Sequence, residues 1–296
     1  MQYYDSNTTL YLNGQFIKSA EAKTDLYSQS LHYGYAVFEG IRAYHTHNGT
    51  RIFKAKEHFD RLQRSAELMR IPFPYDKDDL IKQTYKLLKK NNLKDAYIRP
   101  LVYCGQNMSL GPGAETSILI CAWEWDAYLG NHLLKVGVSS YQRPNPKSTH
   151  VEAKASGHYV NSILATTEAK SKGFDEAILL DMNGHIAEAP GANIFIEKNG
   201  RLYTPPLGSI LAGITRATVI ALCRTLEIEC VEKHLTLEEL KNADSAFFCG
   251  TAAEIAGIAS IDHVPYPGNW DESLGATVQR TYKALVLEKQ NYEVII

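Results

Sequence analysis

No run or stripe of basic residues interrupts this sequence: 31 Lys and Arg stand against 33 Asp and Glu, a net charge of −2. A nucleic-acid backbone or an anionic membrane surface would find no electrostatic footprint, so neither is expected as a partner. Cysteine is sparse and unpaired. The five thiols (Cys104, Cys121, Cys223, Cys230, Cys249) are odd in number and form no C-x-x-C, which excludes a disulfide framework and a zinc cluster and points to a reducing, cytoplasmic setting. Long apolar runs are missing too. The most apolar stretch, Ser245 to Ile261, is rich in small residues and broken by Glu254, so a buried core segment is expected rather than a membrane span. Met1 to Phe16 has no basic residue and no unbroken apolar stretch, and reads as neither signal nor transit peptide. The Walker loop, G-x-G-x-x-G, H-E-x-x-H and G-x-S-x-G are all absent, which weakens nucleotide, metalloprotease and esterase readings; no metal is expected.

What is present is the text of an ordinary globular protein. With 296 residues, 45% hydrophobic and 22% charged, the chain has the length of two domains at roughly 150 residues each. Asn13-Gly14 between two short apolar runs predicts an opening β-hairpin. Helical periodicity covers Ala55 to Met69 and Asp78 to Leu88, and strand-like runs cover Tyr97 to Tyr103 and Ser117 to Trp123. The text turns polar and glycine-containing after Trp125. The expected division is a small N-terminal α/β domain at 1–125, an interdomain loop at 126–135 and a large C-terminal domain at 136–296. The second half reads as a strand from Leu134, a helix from Tyr159 to Lys172 stopped by Gly173, and runs at 176–180, 185–188 and 193–197, the first two joined at Asn183-Gly184. A helix from Thr215 to Leu226, a capping box at Thr236-x-x-Glu239 and a last helix over 273–289 follow. Strands cluster ahead of helices without strict alternation, so the fold class is α+β and not a doubly wound parallel sheet.

Three features could carry chemistry, and each has a plain alternative. Gly213-Ile214-Thr215-Arg216 opens a helix whose first N–H groups and dipole favour an anion; read alone, it is ordinary capping. Lys154 lies between Ala153 and Ala155, where small neighbours would let a bulky group reach its amine; read alone, it is a solvated lysine. Glu188 ends a strand before Ala189-Pro190-Gly191, and read alone is a surface carboxylate.

The combination changes their weight. From about Tyr11 to Ala284 the sequence resembles the branched-chain aminotransferases of the class IV (fold type IV) pyridoxal-phosphate family. The likeness runs through Leu31-His-Tyr-Gly-Tyr-Ala-Val-Phe-Glu-Gly-Ile-Arg-Ala-Tyr44, His58-x-x-Arg-Leu62 with Ser65-Ala66, and Ala96-Tyr-Ile-Arg-Pro100. It continues in Trp125-x-Ala-Tyr-Leu-Gly130, the lysine segment, Glu188-x-x-Gly-x-Asn-Ile-Phe195, Gly213-Ile-Thr-Arg216 and Gly250-Thr-Ala-Ala-Glu254. Lys154 precedes Glu188 by 34 positions, similar to the family's separation of the same two roles.

The resemblance implies two α/β domains with pyridoxal 5′-phosphate in the cleft between them, in a homodimer or higher homo-oligomer whose partner subunit helps line the site. It implies Lys154 as the Schiff-base lysine and the general base and acid for the α-proton, and Glu188 as the partner of the ring nitrogen. Arg61, the Ile214 and Thr215 N–H groups and Thr251 match the phosphate cradle, and Tyr159 stands beside the ring hydroxyl. Tyr97, supported by Tyr33 and Arg99, with the Thr251 and Ala252 N–H groups, matches the α-carboxylate site. Phe38 and Tyr128, with Met108 and Leu110 entering from the neighbouring subunit, match the apolar side-chain site; Phe38 and Leu110 also read as simple core. The implied reaction is reversible transfer of the amino group of L-leucine, L-isoleucine or L-valine to 2-oxoglutarate, so the partners are small amino acids and 2-oxo acids.

Two segments depart from the family's usual text: Ala187-Glu-Ala-Pro190 at the ring carboxylate and Met108-Ser-Leu-Gly111 in the substrate loop. Neither removes a reacting group, and both bear on specificity. A D-amino acid aminotransferase or an aminodeoxychorismate lyase would keep the lysine, glutamate and phosphate cradle, but the Tyr33 to Gly40 and Tyr97 to Pro100 segments look like the branched-chain subgroup. A non-catalytic cofactor-binding protein would have no need to retain Lys154, Glu188, Arg61 and Thr251 together.

Overall fold

The computed structural model describes residues 3–111, 113, 115–125, 129–130 and 132–288. Two compact units separate. One comprises Met1–Asp126 together with Ala153–Gly157, the other Ala127–Glu152 with His158–Ile296.

In the first unit, β1 (Thr9–Leu12) and β2 (Gln15–Lys18) form the opening hairpin, with Asn13 and Gly14 at φ 47° and 88°, the positive values a two-residue turn demands. There follow α1 (Gln29–Tyr33), β3 (Ala36–Phe38), β4 (Ile41–Thr46), β5 (Gly49–Ile52), α2 (Ala55–Leu68), α3 (Lys77–Lys90), β6 (Ala96–Cys104) and β7 (Thr116–Trp123). The strands make one antiparallel sheet in the order β2-β1-β7-β6-β4-β5, with β3 also paired to β6. The expected apolar stripe of α2 is real: Phe59, Leu62 and Ala66 are fully buried and join Val37, Ile98 and Ile118 in the core. The helix α3 is capped by Asp76, whose carboxylate accepts the Asp79 N–H.

The second unit holds β8 (Leu134–Gln142), α4 (Tyr159–Ser171), β9 (Glu176–Leu180), β10 (Ile186–Glu188), β11 (Asn193–Lys198), β12 (Arg201–Thr204), α5 (Ile214–Thr225), β13 (Cys230–Glu232), α6 (Leu237–Lys241), β14 (Ser245–Gly250), β15 (Glu254–Ile261), β16 (Val264–Pro265) and α7 (Leu274–Val286). Its mixed sheet runs β10-β9-β8-β15-β14-β11-β12-β13, parallel at β9/β8, β8/β15 and β12/β13 and antiparallel elsewhere, with β16 on β15. The apolar stretch at 245–261 is the central hairpin β14–β15, buried as expected. The Thr236–Glu239 capping box is formed, although the helix it opens is only five residues long. Among the described residues no helix is long and apolar enough to cross a membrane. With these sheets and helices the chain is α+β.

Candidate active site

Lys154 does not group with the C-terminal unit where the sequence reading placed it. Its five-residue segment belongs to the first unit, because backbone bonds that no local pattern announces fasten it there. The Lys154 N–H donates to Ser65 Oγ on α2 at 3.0 Å, and its carbonyl accepts the Phe38 N–H at 3.0 Å. Ala155 bridges Val37, and the Gly157 N–H donates to Gly34 O. Gly34 has φ 64° and sits so close that an added Cβ would lie 2.9 Å from the Gly157 Cα; only glycine fits there. With both backbone groups engaged, the side chain has a fixed origin, and its Nζ lies 5.0 Å from the Phe38 ring centroid.

Arg61, on the same helix, lies edge-on to Glu39: Nε donates to Oε1 at 2.6 Å and Nη2 to Oε2 at 2.9 Å. Glu39 is fully buried and also accepts from His58 Nδ1 at 2.7 Å. Burial alone would raise the Glu39 pKa, but Arg61 and His58 outweigh it and hold the carboxyl well below its usual range. Burial dominates at His58 and keeps the imidazole below its ordinary value.

Of the expected carboxylate-site residues, Tyr97, Arg99 and Tyr33 lie in this unit, whereas Thr251 and Ala252 belong to the second. Tyr97 is 5% exposed, packs edge-on against Trp125 at 4.6 Å and accepts from Arg99 Nη2 at 3.1 Å. The Arg99 guanidinium lies 4.5 Å from the Phe38 ring centroid, so Phe38 has a cation near its ring from both Arg99 and Lys154. Phe38, 7% exposed, is thus a buried core residue with two cationic side chains near its ring. Gly40 makes room for Tyr97, since an added Cβ would stand 2.0 Å from its hydroxyl oxygen. Tyr33 is half exposed and donates to the Met108 carbonyl at 3.1 Å, tying α1 to the loop that carries Met108. Met108 and Leu110 are 47% and 89% exposed, which rules out the simple-core reading of Leu110. Tyr128 lies outside the described residues.

In the second unit the elements meet around Asn193. Its Nδ2 donates to Glu188 Oε2 at 2.9 Å and to the Leu211 carbonyl at 3.1 Å. Glu188 is 5% exposed, takes the Leu211 N–H on both oxygens at 3.2 Å, and pairs with Arg143 Nε at 2.9 Å as an ion pair without hydrogen-bond alignment. Gly213, the N-cap of α5, is pressed so tightly on Asn193 that a Cβ would lie 2.0 Å from its Oδ1. Having no side chain, Gly213 leaves the first turn of α5, with Ile214 and the buried Thr215, without a side-chain cap. Asn193 also faces Cys249 across β11/β14, which brings the Gly250-Thr251-Ala252 turn beside it. Tyr159 opens α4, whose Ser162 hydroxyl donates to the Pro190 carbonyl. The unusual Pro190 fits without distortion: the Ala189 N–H reaches Ala192 O across Pro190-Gly191, a tight connection that proline suits.

Sequence reading missed Arg143, which ends no motif and pairs with a residue 45 positions away; only the fold reveals it. It quoted Glu39 and His58 without giving them roles. Arg216, the last residue of its helix-start motif, turns away to the Pro205 carbonyl and Glu232 and braces the loop instead. Asp181, His185 and His234 gather three ligand-type atoms within 4.8 Å, but Asp181 Oδ1 already takes the Asn183 and His185 N–H groups of the β9–β10 turn.

Residues 36–261 match the sequence profile of the amino-transferase class IV family. The chain belongs to this family. Among class IV relatives, the branched-chain-amino-acid aminotransferase of Pseudomonas aeruginosa is 41% identical over 268 residues, 88% of this chain and 87% of that one. The fold matches the branched-chain aminotransferase of Thermoproteus uzoniensis, solved with norvaline, at TM-score 0.92 and 40% identity over 96% of each chain. It matches the T.th. branched-chain amino acid aminotransferase complexed with N-(5′-phosphopyridoxyl)-L-glutamate at TM-score 0.90 and 35% identity, over 96% of this chain and 95% of that one.

Proposed function

We propose that this class IV aminotransferase is a pyridoxal-phosphate-dependent branched-chain amino acid aminotransferase that exchanges amino groups between L-leucine, L-isoleucine or L-valine and 2-oxoglutarate, with Lys154 as its reacting lysine. The observation that carries the reading is the pinned backbone of Lys154: both peptide groups are tied down, and the amine is directed along the Phe38 ring. The donor set fits the cofactor. Arg61 and the start of α5, which has no side-chain cap, suit a phosphate, and Glu188, fixed by three neighbours, suits a ring N–H. Thr251 completes the phosphate side and Tyr159 the ring side.

When bound, the cofactor supplies a cationic ring that withdraws the electrons left as the substrate's α-proton departs. This chain's own groups do the rest. Lys154 Nζ takes that proton and returns it as base and then acid. Glu188 keeps a proton on the ring nitrogen. Tyr97, with Tyr33 and Arg99 behind it and the Thr251 and Ala252 N–H groups, receives the substrate carboxylate. Phe38 and Tyr128, with Met108 and Leu110 of a neighbouring copy, receive the apolar branch. The relatives' names support the branched-chain reading over the D-amino acid aminotransferase and lyase alternatives, and a relative holding a phosphopyridoxyl-glutamate adduct supports both cofactor and acceptor.

The test is Lys154→Ala. The variant is expected to fold, to lose the visible absorbance of the lysine-bound cofactor, and to lose nearly all turnover of L-leucine. Turnover at the wild-type rate would overturn the assignment.

A further inference from the structure

One buried charge in the first unit has no assigned contact with substrate or cofactor, yet it grips Arg61, which does. Glu39 has no exposed surface, and four donors meet its two oxygens: Arg61 Nε at 2.6 Å, Arg61 Nη2 at 2.9 Å, His58 Nδ1 at 2.7 Å and its neighbour's Gly40 N–H at 3.2 Å. A dry ion pair of this kind is a poor stabiliser, because apolar residues of equal volume commonly serve stability as well or better. Geometry is what it provides. Two parallel bonds to the Nε and Nη2 edge fix the plane of the guanidinium as a single bond could not. His58, kept neutral by burial with its Nδ1 proton turned to the carboxylate, holds Glu39 without adding a competing charge.

We propose that Glu39, backed by His58, is a positioning residue that locks the Arg61 guanidinium in the orientation in which its remaining edge meets a phosphate. The proposal rests on the reading of Arg61 as a ligand of the cofactor phosphate. A second observation supports it independently: His58, Arg61 and Ser65 recur along one side of α2, and Ser65 holds the Lys154 backbone. One helix thus sets the positions of both the phosphate-binding arginine and the reacting lysine, and Glu39 fixes the rotamer of the first.

The experiment compares the affinity of the full-length protein for pyridoxal 5′-phosphate with its affinity for pyridoxal, which lacks the phosphate, by absorbance titration. Arg61→Ala should weaken pyridoxal phosphate strongly and pyridoxal little; equal effects on the two would remove Arg61 from the phosphate site and with it the underlying reading. Given that control, Glu39→Gln should weaken pyridoxal phosphate roughly tenfold, the size of effect that outer partners have on metal ligands, and leave pyridoxal within about twofold. Should Glu39→Gln not fold, His58→Leu decides by the same comparison, with His58→Asn, whose amide can donate from the Nδ1 position, restoring the phosphate-dependent affinity. A Glu39 or His58 variant that binds both forms as the wild type does, or that weakens both equally, overturns the proposal and leaves Glu39 a structural residue.

Discussion

Glu188 shows how the fold can fix a single side chain. Three segments hold it: Arg143 just past β8, Asn193 at the start of β11 and Leu211 in the loop before α5. A carboxylate with so many fixed donors keeps one orientation, as an acceptor for a ring N–H must. Glu188→Gln preserves the shape and removes the charge. Cofactor should still be retained through its phosphate, while the single-turnover rate with L-leucine falls by roughly 10²-fold or more, the scale on which preorganised electrostatic partners act. Stopped-flow absorbance measures this, and an unchanged rate would mean that some other group protonates the ring. The proposed roles of Lys154 and Glu188 rest on the motifs around them in the sequence. Arg143 was not legible there, since an arginine in Gln142-Arg-Pro144 carries no local sign that the fold will set it against a carboxylate.

Among the elements, the turn between β3 and β4 matters most, because Phe38, Glu39 and Gly40 are three consecutive residues with three different duties. Gly40 is the one whose duty is to have no side chain. In Gly40→Ala the new Cβ would meet the Tyr97 hydroxyl at 2.0 Å and Cζ at 2.8 Å, and Tyr97 has Trp123 and Trp125 packed against it. Overpacking of this kind costs about 1–3 kcal/mol. The expected result is a fall of roughly tenfold or more in kcat/KM for L-leucine with the cofactor spectrum intact; unchanged kinetics would remove Tyr97 from the carboxylate site. The sequence made the β1–β2 hairpin readable because Asn13-Gly14 is a local signal, and α2 and α3 because their apolar stripes are periodic. It hid β3, three residues buried on every side with no alternation to read, and it hid the attachment of Ala153–Gly157 to that strand, which depends on pairing across more than a hundred positions.

At the scale of the whole molecule the sequence conveyed class and family better than partition. The α+β class followed from the order of elements, and the class IV profile covers residues 36–261. The cut near residue 126 also left a polar stretch to read, whereas the return of five residues to the first unit left none. The central claim is that this chain serves transamination of branched L-amino acids. A leucine side chain reaching apolar surroundings gains about 2 kcal/mol over alanine at about 0.8 kcal/mol per methylene, roughly 30-fold in the specificity constant. D-Leucine cannot set its carboxylate toward Tyr97, its branch among apolar side chains and its α-hydrogen toward Lys154 at the same time. The most direct measurement is therefore kcat/KM for L-leucine, L-isoleucine, L-valine, L-alanine and D-leucine with 2-oxoglutarate as acceptor. The three branched L-amino acids should react well, alanine roughly 30-fold worse than leucine and D-leucine hardly at all; alanine or D-leucine equalling L-leucine would contradict the account.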